Sequence, residues 1–268
     1  MSAIIEVKHL TKKFDDGTVA VDDISFSVEQ GSIFAFLGPN GAGKSTTIKM
    51  LTTILHPTEG VVHVGGADVH ENPSEARRAF GIVFQDPSLD DELTAYENLD
   101  FHGALYGISK KEREKRIDDM FEFVELSNRR DSLVKEFSGG MKRRLEIARG
   151  LLHHPRVLFL DEPTLGLDPQ TRNHLWRYIA DLNASEGITV FFTTHYLEEA
   201  ERIANKTAII DHGKIIASGT VEELKQNTGA ATLEEAYLSL TGKSIREEEG
   251  SARDHMRAMH RAWRGGRR

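Results

Sequence analysis

The segment from Gly38 to Ser45 constrains this chain more than any other part of the sequence. It reads Gly-Pro-Asn-Gly-Ala-Gly-Lys-Ser and matches the pattern G-x-x-x-x-G-K-[ST], which is typical of phosphate-binding loops. An apolar run at residues 32–37 precedes it as a predicted buried strand, and helical periodicity follows at residues 45–55. Glycines let successive backbone amides curl round a phosphate, and the helix N-terminus adds partial positive charge. This context favours a phosphate site over a chance glycine-rich turn.

Four polar side chains in two segments supply the chemistry that such a loop serves. We expect Lys44 to reach the β- and γ-phosphates of a nucleotide and the Ser45 hydroxyl to ligate magnesium. Residues 157–160 read as a buried strand that ends in Asp161 and Glu162. At the carboxyl edge of a sheet, Asp161 would hold magnesium and Glu162 would orient or deprotonate the attacking water. An acidic pair that merely ends a strand is the alternative, which the phosphate loop weakens.

The distribution of charge separates the end of the chain from the rest. The 268 residues carry 34 Lys and Arg against 42 Asp and Glu, a net charge of −8. Residues 243–268 hold eight basic and four acidic side chains, so this tail has a net charge of +4 and residues 1–242 have a net charge of −12. An acidic body repels a polyphosphate, which disfavours nucleic acid as a partner. We expect a solvated, disordered tail, with a short basic amphipathic helix at a membrane surface as the alternative.

Residue types and apolar runs exclude several other classes of protein. The chain has no cysteine, which excludes disulfides, thiolate zinc sites and cysteine nucleophiles. Its longest apolar runs, such as residues 33–37, fall short of the roughly 18 residues that a membrane span needs. The N-terminus lacks the pattern of a secretory signal. These observations together predict a cytoplasmic protein.

Strand and helix patterns alternate along the chain, except across residues 87–155, which read as helical. The sequence therefore predicts an α/β core that is interrupted by a helical insertion and followed by a small C-terminal extension. Helix starts are predicted at four Ser or Thr residues that precede a glutamate by three positions, and a hairpin at one His-Gly pair. These positions are Thr94, Ser109, Thr220 and Thr232, and His212-Gly213.

A third motif connects the phosphate loop and the acidic pair to a known family. Phe137-Ser138-Gly139-Gly140-Met141 precedes a fitting helix, in which Ser138 would cap an N-terminus that binds anions. Alone, Ser-Gly-Gly is a common loop, but here it lies 23 residues before Asp161. With the earlier motifs, the sequence resembles the nucleotide-binding subunits of ABC (ATP-binding cassette) transporters across residues 4–240. In that resemblance, residues 137–141 are similar to the family's signature.

The resemblance implies roles for further residues by their order in the chain. Gln85 matches the glutamine that senses the γ-phosphate, takes part in the metal site and links to the membrane subunit. His195 matches the switch histidine that contacts the γ-phosphate, and residues 165–168 match the loop that crosses the dimer interface. Phe14 matches the aromatic side chain that stacks on adenine. These assignments depend on the order in which the family's motifs follow one another along the chain, since such residues taken singly are usually structural or merely exposed.

The signature departs from the family pattern at two positions. Phe137 replaces the usual leucine and keeps its apolar role, whereas Met141 replaces a glutamine and lacks that side chain's polar contact. The anion site of Ser138 and Gly140 does not depend on either change. Residues 84–108 and 135–171 resemble the daunorubicin-resistance type of drug exporter subunit.

The implied fold is α/β, a P-loop NTPase core with an antiparallel β subdomain and an inserted helical subdomain. The implied ATPase domain is 1–242, with core segments 1–86 and 156–218, helical subdomain 87–155 and C-terminal helices 219–242, before the tail. The implied catalytic residues are Glu162, His195 and Gln85, and the metal ligands are Ser45, Gln85 and Asp161. The implied ATP-binding residues are Phe14, Gly38, Pro39, Asn40, Gly41, Ala42, Gly43, Lys44, Ser45, Thr46, Ser138, Gly139 and Gly140.

The resemblance also implies cofactors and partners. It implies ATP, Mg²⁺ and a head-to-tail homodimer around two ATP molecules, peripheral on the inner face of the membrane through a separately encoded permease. The implied function is that of the ATPase subunit of an exporter for a drug or other hydrophobic, lipid-like compound. A soluble ABC ATPase acting on ribosomes or DNA, and an importer subunit, are the alternatives.

Overall fold

The computed structural model describes residues 2–242, and the predicted tail 243–268 lies outside them. Within that part, strands and helices alternate as the sequence predicts. The strands are β1 (Ala3–Lys13), β2 (Val19–Glu29), β3 (Ile33–Leu37), β4 (Glu59–Val64), β5 (Ala67–Asp68), β6 (Phe80–Val83), β7 (Val157–Asp161), β8 (Thr189–Thr194), β9 (Lys206–Asp211) and β10 (Lys214–Gly219). The helices are α1 (Lys44–Leu51), α2 (Pro73–Ala79), α3 (Ala95–Leu105), α4 (Lys110–Phe123), α5 (Gly139–Leu151), α6 (Pro169–Glu186), α7 (Leu197–Ile203), α8 (Val221–Thr228) and α9 (Leu233–Thr241). Two 3₁₀ turns, Ser127–Arg129 and Val134–Glu136, lie between α4 and α5.

A six-stranded sheet in the order β10-β9-β3-β8-β7-β6 forms the centre of the fold. Its strands are parallel from β9 to β6, and β10 pairs antiparallel with β9 through the predicted hairpin at His212 and Gly213. All five residues of β3 are buried. Successive side chains of a strand point to opposite faces, so a continuous apolar run of this kind needs cover on both faces of the sheet.

An antiparallel sheet in the order β2-β1-β4-β5 covers one face. Phe26 of β2 packs against Phe34 and Phe36 of β3, with ring centroids 5.8 and 5.5 Å apart. Phe191 of β8 lies 5.5 Å from Phe34 and extends this aromatic layer. Large aromatic side chains bury much apolar area, so this layer fixes the antiparallel sheet on the central one. The predicted antiparallel subdomain is confirmed.

Helices cover the other face of the central sheet. Trp176 of α6 packs on Phe192 of β8 at a centroid distance of 4.7 Å. Ile147 and Leu151 of α5 join the same apolar cluster. Because every residue of β3, β7 and β8 is buried, the sheet lies between two apolar layers.

The inserted helices have an apolar core of their own. Leu99 of α3, Phe121 of α4 and Leu145 of α5 belong to it. α5 thus contributes to two cores, since Ile147 faces the central sheet and Leu145 faces the inserted helices. This helix therefore connects the insertion to the core.

One element boundary differs from the sequence prediction. The helix predicted at residues 45–55 ends at Leu51, after which Thr53 takes a left-handed φ of 64°. β6 pairs in register with β7 from Val157 onward, and β2 runs unbroken over 11 residues, paired along its length with β1.

Candidate nucleotide-binding and hydrolysis site

The phosphate loop leaves the central sheet at the end of β3 and enters α1. Gly41 and Gly43 have φ angles of 78° and 110°, in the region that favours glycine. A Cβ on Gly43 would lie 2.4 Å from the carbonyl oxygen of Ala20, and one on Gly38 would lie 2.3 Å from that of Ile210. Glycine is therefore required at 38 and 43 for steric reasons, as well as for backbone access to a phosphate.

Lys44 lies on the inside of this loop and is only 6% exposed. Its Nζ donates hydrogen bonds to the carbonyl oxygens of Gly38, at 2.8 Å, and Pro39, at 3.3 Å. It also forms an ion pair with Glu162 Oε1 at 3.2 Å. The phosphate loop and the acidic pair, which are far apart in sequence, therefore meet at one ammonium group.

Ser45 and Asp161 come together as predicted. Ser45 Oγ donates to Asp161 Oδ1 at 3.2 Å, and the same oxygen accepts a hydrogen bond from Thr193 Oγ1 at 2.6 Å. Thr193 Oγ1 also accepts from the backbone N–H of Glu162 at 3.0 Å. Sequence reasoning missed Thr193, although the largely apolar run before it, at residues 188–192, is a usable signal of a buried strand. In the structure Thr193 lies beside Asp161 in the parallel register.

Glu162 is held in an unusual backbone conformation. Its φ is 48°, a left-handed value that costs energy in any residue other than glycine. Its Oε2 lies 2.8 Å from His195 Nδ1. Burial raises the pKa of this carboxyl, but the hydrogen bond from His195 and the charge of Lys44 outweigh burial and leave the pKa of Glu162 below its ordinary value. The group is therefore ionised at neutral pH.

A cavity of about 390 Å³ opens over these residues. Its walls bring together Lys44, Ser45, Glu162 and His195 with Gln85, which lies in the exposed segment after β6. The other lining residues are Ala20, Pro39, Asn40, Gly41, Gly43, Thr46, Leu165 and Tyr196. The structure does not place Phe14 in this lining; its ring is partly exposed, with Lys12 Nζ 5.4 Å from the centroid.

The signature residues lie elsewhere on the chain. Ser138 caps α5, and its Oγ accepts a hydrogen bond from the Met141 N–H at 3.3 Å. A Cβ on Gly140 would lie 2.6 Å from Thr171 Cγ2, so glycine permits close contact with α6. Ser138 and Gly140 line a separate cavity of about 740 Å³. In one chain, therefore, the signature and the phosphate loop are not parts of the same cavity.

A second buried group that sequence reasoning missed is Glu199 of α7. Its two carboxylate oxygens accept hydrogen bonds from Thr164 Oγ1, at 2.7 Å, and Thr194 Oγ1, at 2.9 Å. Arg172 Nε lies 3.8 Å from the same carboxylate. Glu199 thus joins the segment after Glu162 to the residue before His195. Nothing in its local sequence distinguishes it from the neighbouring Glu198.

The site has three features: a glycine-rich loop after β3, the ion pair between Lys44 and the carboxylate that directly follows β7, and a parallel sheet whose strands end here. Together they define a phosphate-loop nucleotide hydrolase. The sequence profile of the ABC transporter family matches residues 21–165, which is more than half of the chain. The chain belongs to this family.

Similar proteins of other organisms agree with that assignment. The daunorubicin/doxorubicin resistance ATP-binding protein DrrA of Streptomyces peucetius is 45% identical over 229 residues, 85% of this chain and 69% of the relative. The linearmycin resistance ATP-binding protein LnrL of Bacillus subtilis is 41% identical, over 91% of this chain and 76% of the relative. The Nod factor export ATP-binding protein I of Cupriavidus pinatubonensis is 40% identical, over 88% and 72%.

Solved structures agree on the fold. An ATP-binding subunit of an ABC transporter superposes with a TM-score of 0.80 at 33% identity, over 89% of this chain and 99% of the other. The ATP-binding cassette MJ0796, a dimer in a post-hydrolysis state with ADP and Pi, superposes with a TM-score of 0.72 at 27% identity, over 81% and 98%. The predicted ABC ATPase fold is confirmed, and the chain is an ATPase cassette.

Proposed function

We propose that this chain is the ATP-hydrolysing subunit of an ABC exporter and drives transport through a separately encoded membrane subunit. The observation that carries the hydrolytic part is the buried carboxylate of Glu162, held between Lys44 and His195 beside the phosphate loop. The printed names of the relatives, which concern drug resistance and export, favour export over import and over action on ribosomes or DNA. They also support a drug or other hydrophobic, lipid-like compound as the cargo.

We assign the hydrolytic step to Glu162. The lowered pKa keeps its carboxylate ionised at neutral pH, so it can accept a proton from water. The water oxygen forms a bond to the γ-phosphorus, the bond from that phosphorus to the ADP oxygen breaks, and the proton passes to Glu162. Lys44 stabilises the charge that develops on the phosphate oxygens. His195 orients the carboxylate through its 2.8 Å contact.

The residues present also fit a magnesium ion. Ser45 Oγ and Asp161 Oδ1 are hard oxygen donors 3.2 Å apart, and Asp161 is buried. Gln85 and Ser45 line the same cavity. A Mg²⁺ ion bound there would neutralise part of the negative charge of the phosphates. Thr193 supports the site by holding Asp161 Oδ1 through its hydroxyl.

For the active assembly, we infer a head-to-tail homodimer. The separation of Ser138 and Gly140 from the phosphate loop within one chain supports this inference, since the resemblance gives both motifs contacts to one ATP. The dimeric state of MJ0796 supports association of such cassettes. Each site would then combine Lys44, Glu162 and His195 of one subunit with the signature of the other.

The placement of the subunit follows from the same proposal. None of the helices within residues 2–242 is long and apolar enough to cross a bilayer. We assign the passage for the cargo to the membrane subunit, with this chain on its cytoplasmic side. Copurification with that subunit, and stimulation of ATPase activity by a transported compound, would test the exporter assignment. An ATPase that copurifies with no membrane subunit and that no transported compound stimulates would contradict it.

The phosphate loop offers the most direct test of hydrolysis. Lys44→Ala removes a charge-assisted contact to the phosphates and should lower magnesium-dependent ATPase activity by about two orders of magnitude or more. Lys49→Ala is the matched control, because Lys49 lies on the same helix but is exposed. Phosphate release by both variants decides the matter, and near-normal activity in Lys44→Ala would contradict the assignment.

A further inference from the structure

Arg143 of α5 is a buried arginine whose hydrogen bonds reach two distant segments of the chain. It is 7% exposed. Its Nε donates to the carbonyl oxygen of Pro163 at 2.8 Å, and its Nη2 donates to that of Glu162 at 3.2 Å. Its Nη1 donates to the carbonyl oxygen of Phe84 at 2.5 Å. The guanidinium therefore contacts the backbone on both sides of the hydrolytic site.

Glu146, one helical turn further along α5, completes this arrangement. Its Oε2 pairs with Arg143 Nη1 at 3.0 Å, and its Oε1 accepts the backbone N–H of Ser88 at 2.8 Å. The segment that carries Gln85 runs from Phe84 to Ser88. The Arg143–Glu146 pair thus binds both ends of this segment to α5.

The same pair supports the strained backbone at Glu162. A left-handed φ at a residue other than glycine persists only when its surroundings hold it. Thr193 binds the N–H of Glu162, and Arg143 binds the carbonyl oxygens of Glu162 and Pro163. These contacts fix the peptide planes on both sides of the Glu162 Cα. They therefore fix the direction of the Cα–Cβ bond from which the Glu162 carboxylate extends.

The energetics argue that this pair has a purpose besides stability. Replacing a buried ion pair by apolar side chains of similar volume is often neutral or stabilising, because both charges must lose their water on folding. The same polar contacts are well suited to hold backbone in one arrangement. Here that backbone belongs to the two segments that carry Glu162 and Gln85.

We infer that Arg143 and Glu146 are positioning residues for ATP hydrolysis, which hold Glu162 and the Gln85 segment in their working geometry from the helix that begins at the signature. This inference rests on the proposed function, since it concerns how that reaction is supported. Neither side chain is in the lining of the phosphate-loop cavity, so their effect on the reaction is indirect. Their loss should reduce the rate of the chemical step and leave ATP affinity nearly intact.

The test compares Arg143→Gln with Arg113→Gln. Arg113 of α4 is the matched control: its side chain is 13% exposed, pairs with Asp100 at 2.5 Å and donates to the carbonyl oxygen of Ile108, within the inserted helices. In Arg143→Gln we expect kcat to fall about tenfold or more, with KM and the affinity for a fluorescent ATP analogue within about twofold. Arg113→Gln should lower Tm and keep kcat.

A double-substituted chain protects the test against misfolding. Arg143→Met with Glu146→Leu replaces the pair by apolar side chains of similar size and leaves no unpaired buried charge, so its Tm should be no lower than that of Arg143→Gln, while kcat falls as in Arg143→Gln. We also combine Arg143→Gln with Gln85→Ala. The fold-loss in kcat of this variant should be smaller than the product of the two separate fold-losses, since both residues act through one segment. Preserved kcat in the double-substituted chain would overturn the inference, as would a loss in Arg143→Gln that Arg113→Gln reproduces.

Two reference measurements separate this inference from the proposed function. If the unmodified chain lacks ATPase activity, or Lys44→Ala retains it, the proposed function is wrong, and the inference that rests on it is wrong as well. If the unmodified chain and Lys44→Ala behave as expected but Arg143→Gln keeps its kcat, the positioning role alone is wrong.

Discussion

The phosphate-loop side and the signature side of this molecule are built differently. On the phosphate-loop side, Lys44, Glu162 and His195 contact one another directly, within a cavity of about 390 Å³. On the signature side, Ser138 bonds to the start of its own helix, and the cavity beside it measures about 740 Å³. The first region thus brings its reactive groups together within one chain. The second is an exposed helix start, which is the kind of position where backbone N–H groups bind anions.

The largest effect that can separate these regions is expected from Glu162→Gln. The amide keeps the size of the side chain but cannot accept the proton, so hydrolysis should fall by about 10² to 10⁴-fold. ATP should still bind through Lys44 and Ser45 and, if the signature acts across a dimer, should hold two chains together. Light scattering with ATP would reveal the dimer.

Adding Ser138→Arg to this variant tests the signature side alone. The bulky side chain would fill the helix start, so the ATP-dependent dimer should disappear while ATP binding by each chain remains. A Glu162→Gln protein that stays monomeric with ATP, or a dimer that Ser138→Arg leaves intact, would contradict the proposed division of roles.

His195→Ala should have the next largest effect. It removes the hydrogen bond that helps to lower the pKa of Glu162, whereas burial, which raises this pKa, remains. The pKa should therefore rise, and activity should be lost at a higher pH on the acid side of the rate profile. We also expect kcat at neutral pH to fall about tenfold or more. A pH–rate profile measured beside the unmodified chain checks both, and an unmoved acid limb would show that the histidine does not tune this carboxyl.

Thr193→Val should have the smallest effect of the three. Valine keeps the shape of the side chain but removes the hydroxyl that joins Asp161 Oδ1 to the Glu162 N–H. Leaving these buried polar groups without that partner should cost about 1 to 3 kcal/mol of unfolding free energy. The magnesium concentration for half-maximal activity should rise as Asp161 loses its support. Thr193→Ser, which retains the hydroxyl, is the control in denaturant unfolding and magnesium titration.

The starts of helices show which features of the structure the local sequence predicts. Thr94 and Thr220 form the full capping boxes that were predicted, with Glu97 and Glu223. At Ser109 the pattern is only half realised, because the carboxylate of Glu112 pairs with Arg116 instead of returning to the cap. The starting residue is right in each case, since it depends on adjacent residues. The partner of a charged side chain is decided by which charges surround it in the fold.

Local patterns determined the phosphate loop, the acidic pair at the end of β7 and the signature at the start of α5, because each depends on contiguous residues that satisfy a backbone geometry. Roles for Gln85, His195 and Phe14 came from resemblance to a family, and the structure brings Gln85 and His195, but not Phe14, into the lining of one cavity. Only the tertiary structure decided which buried groups support the site. Arg143 lies 19 residues before Glu162 and 59 after Phe84, and Thr193 lies 32 after Asp161. No local pattern encodes such pairings, because they arise when the register of a parallel sheet and the packing of α5 place distant polar groups where no water can satisfy them.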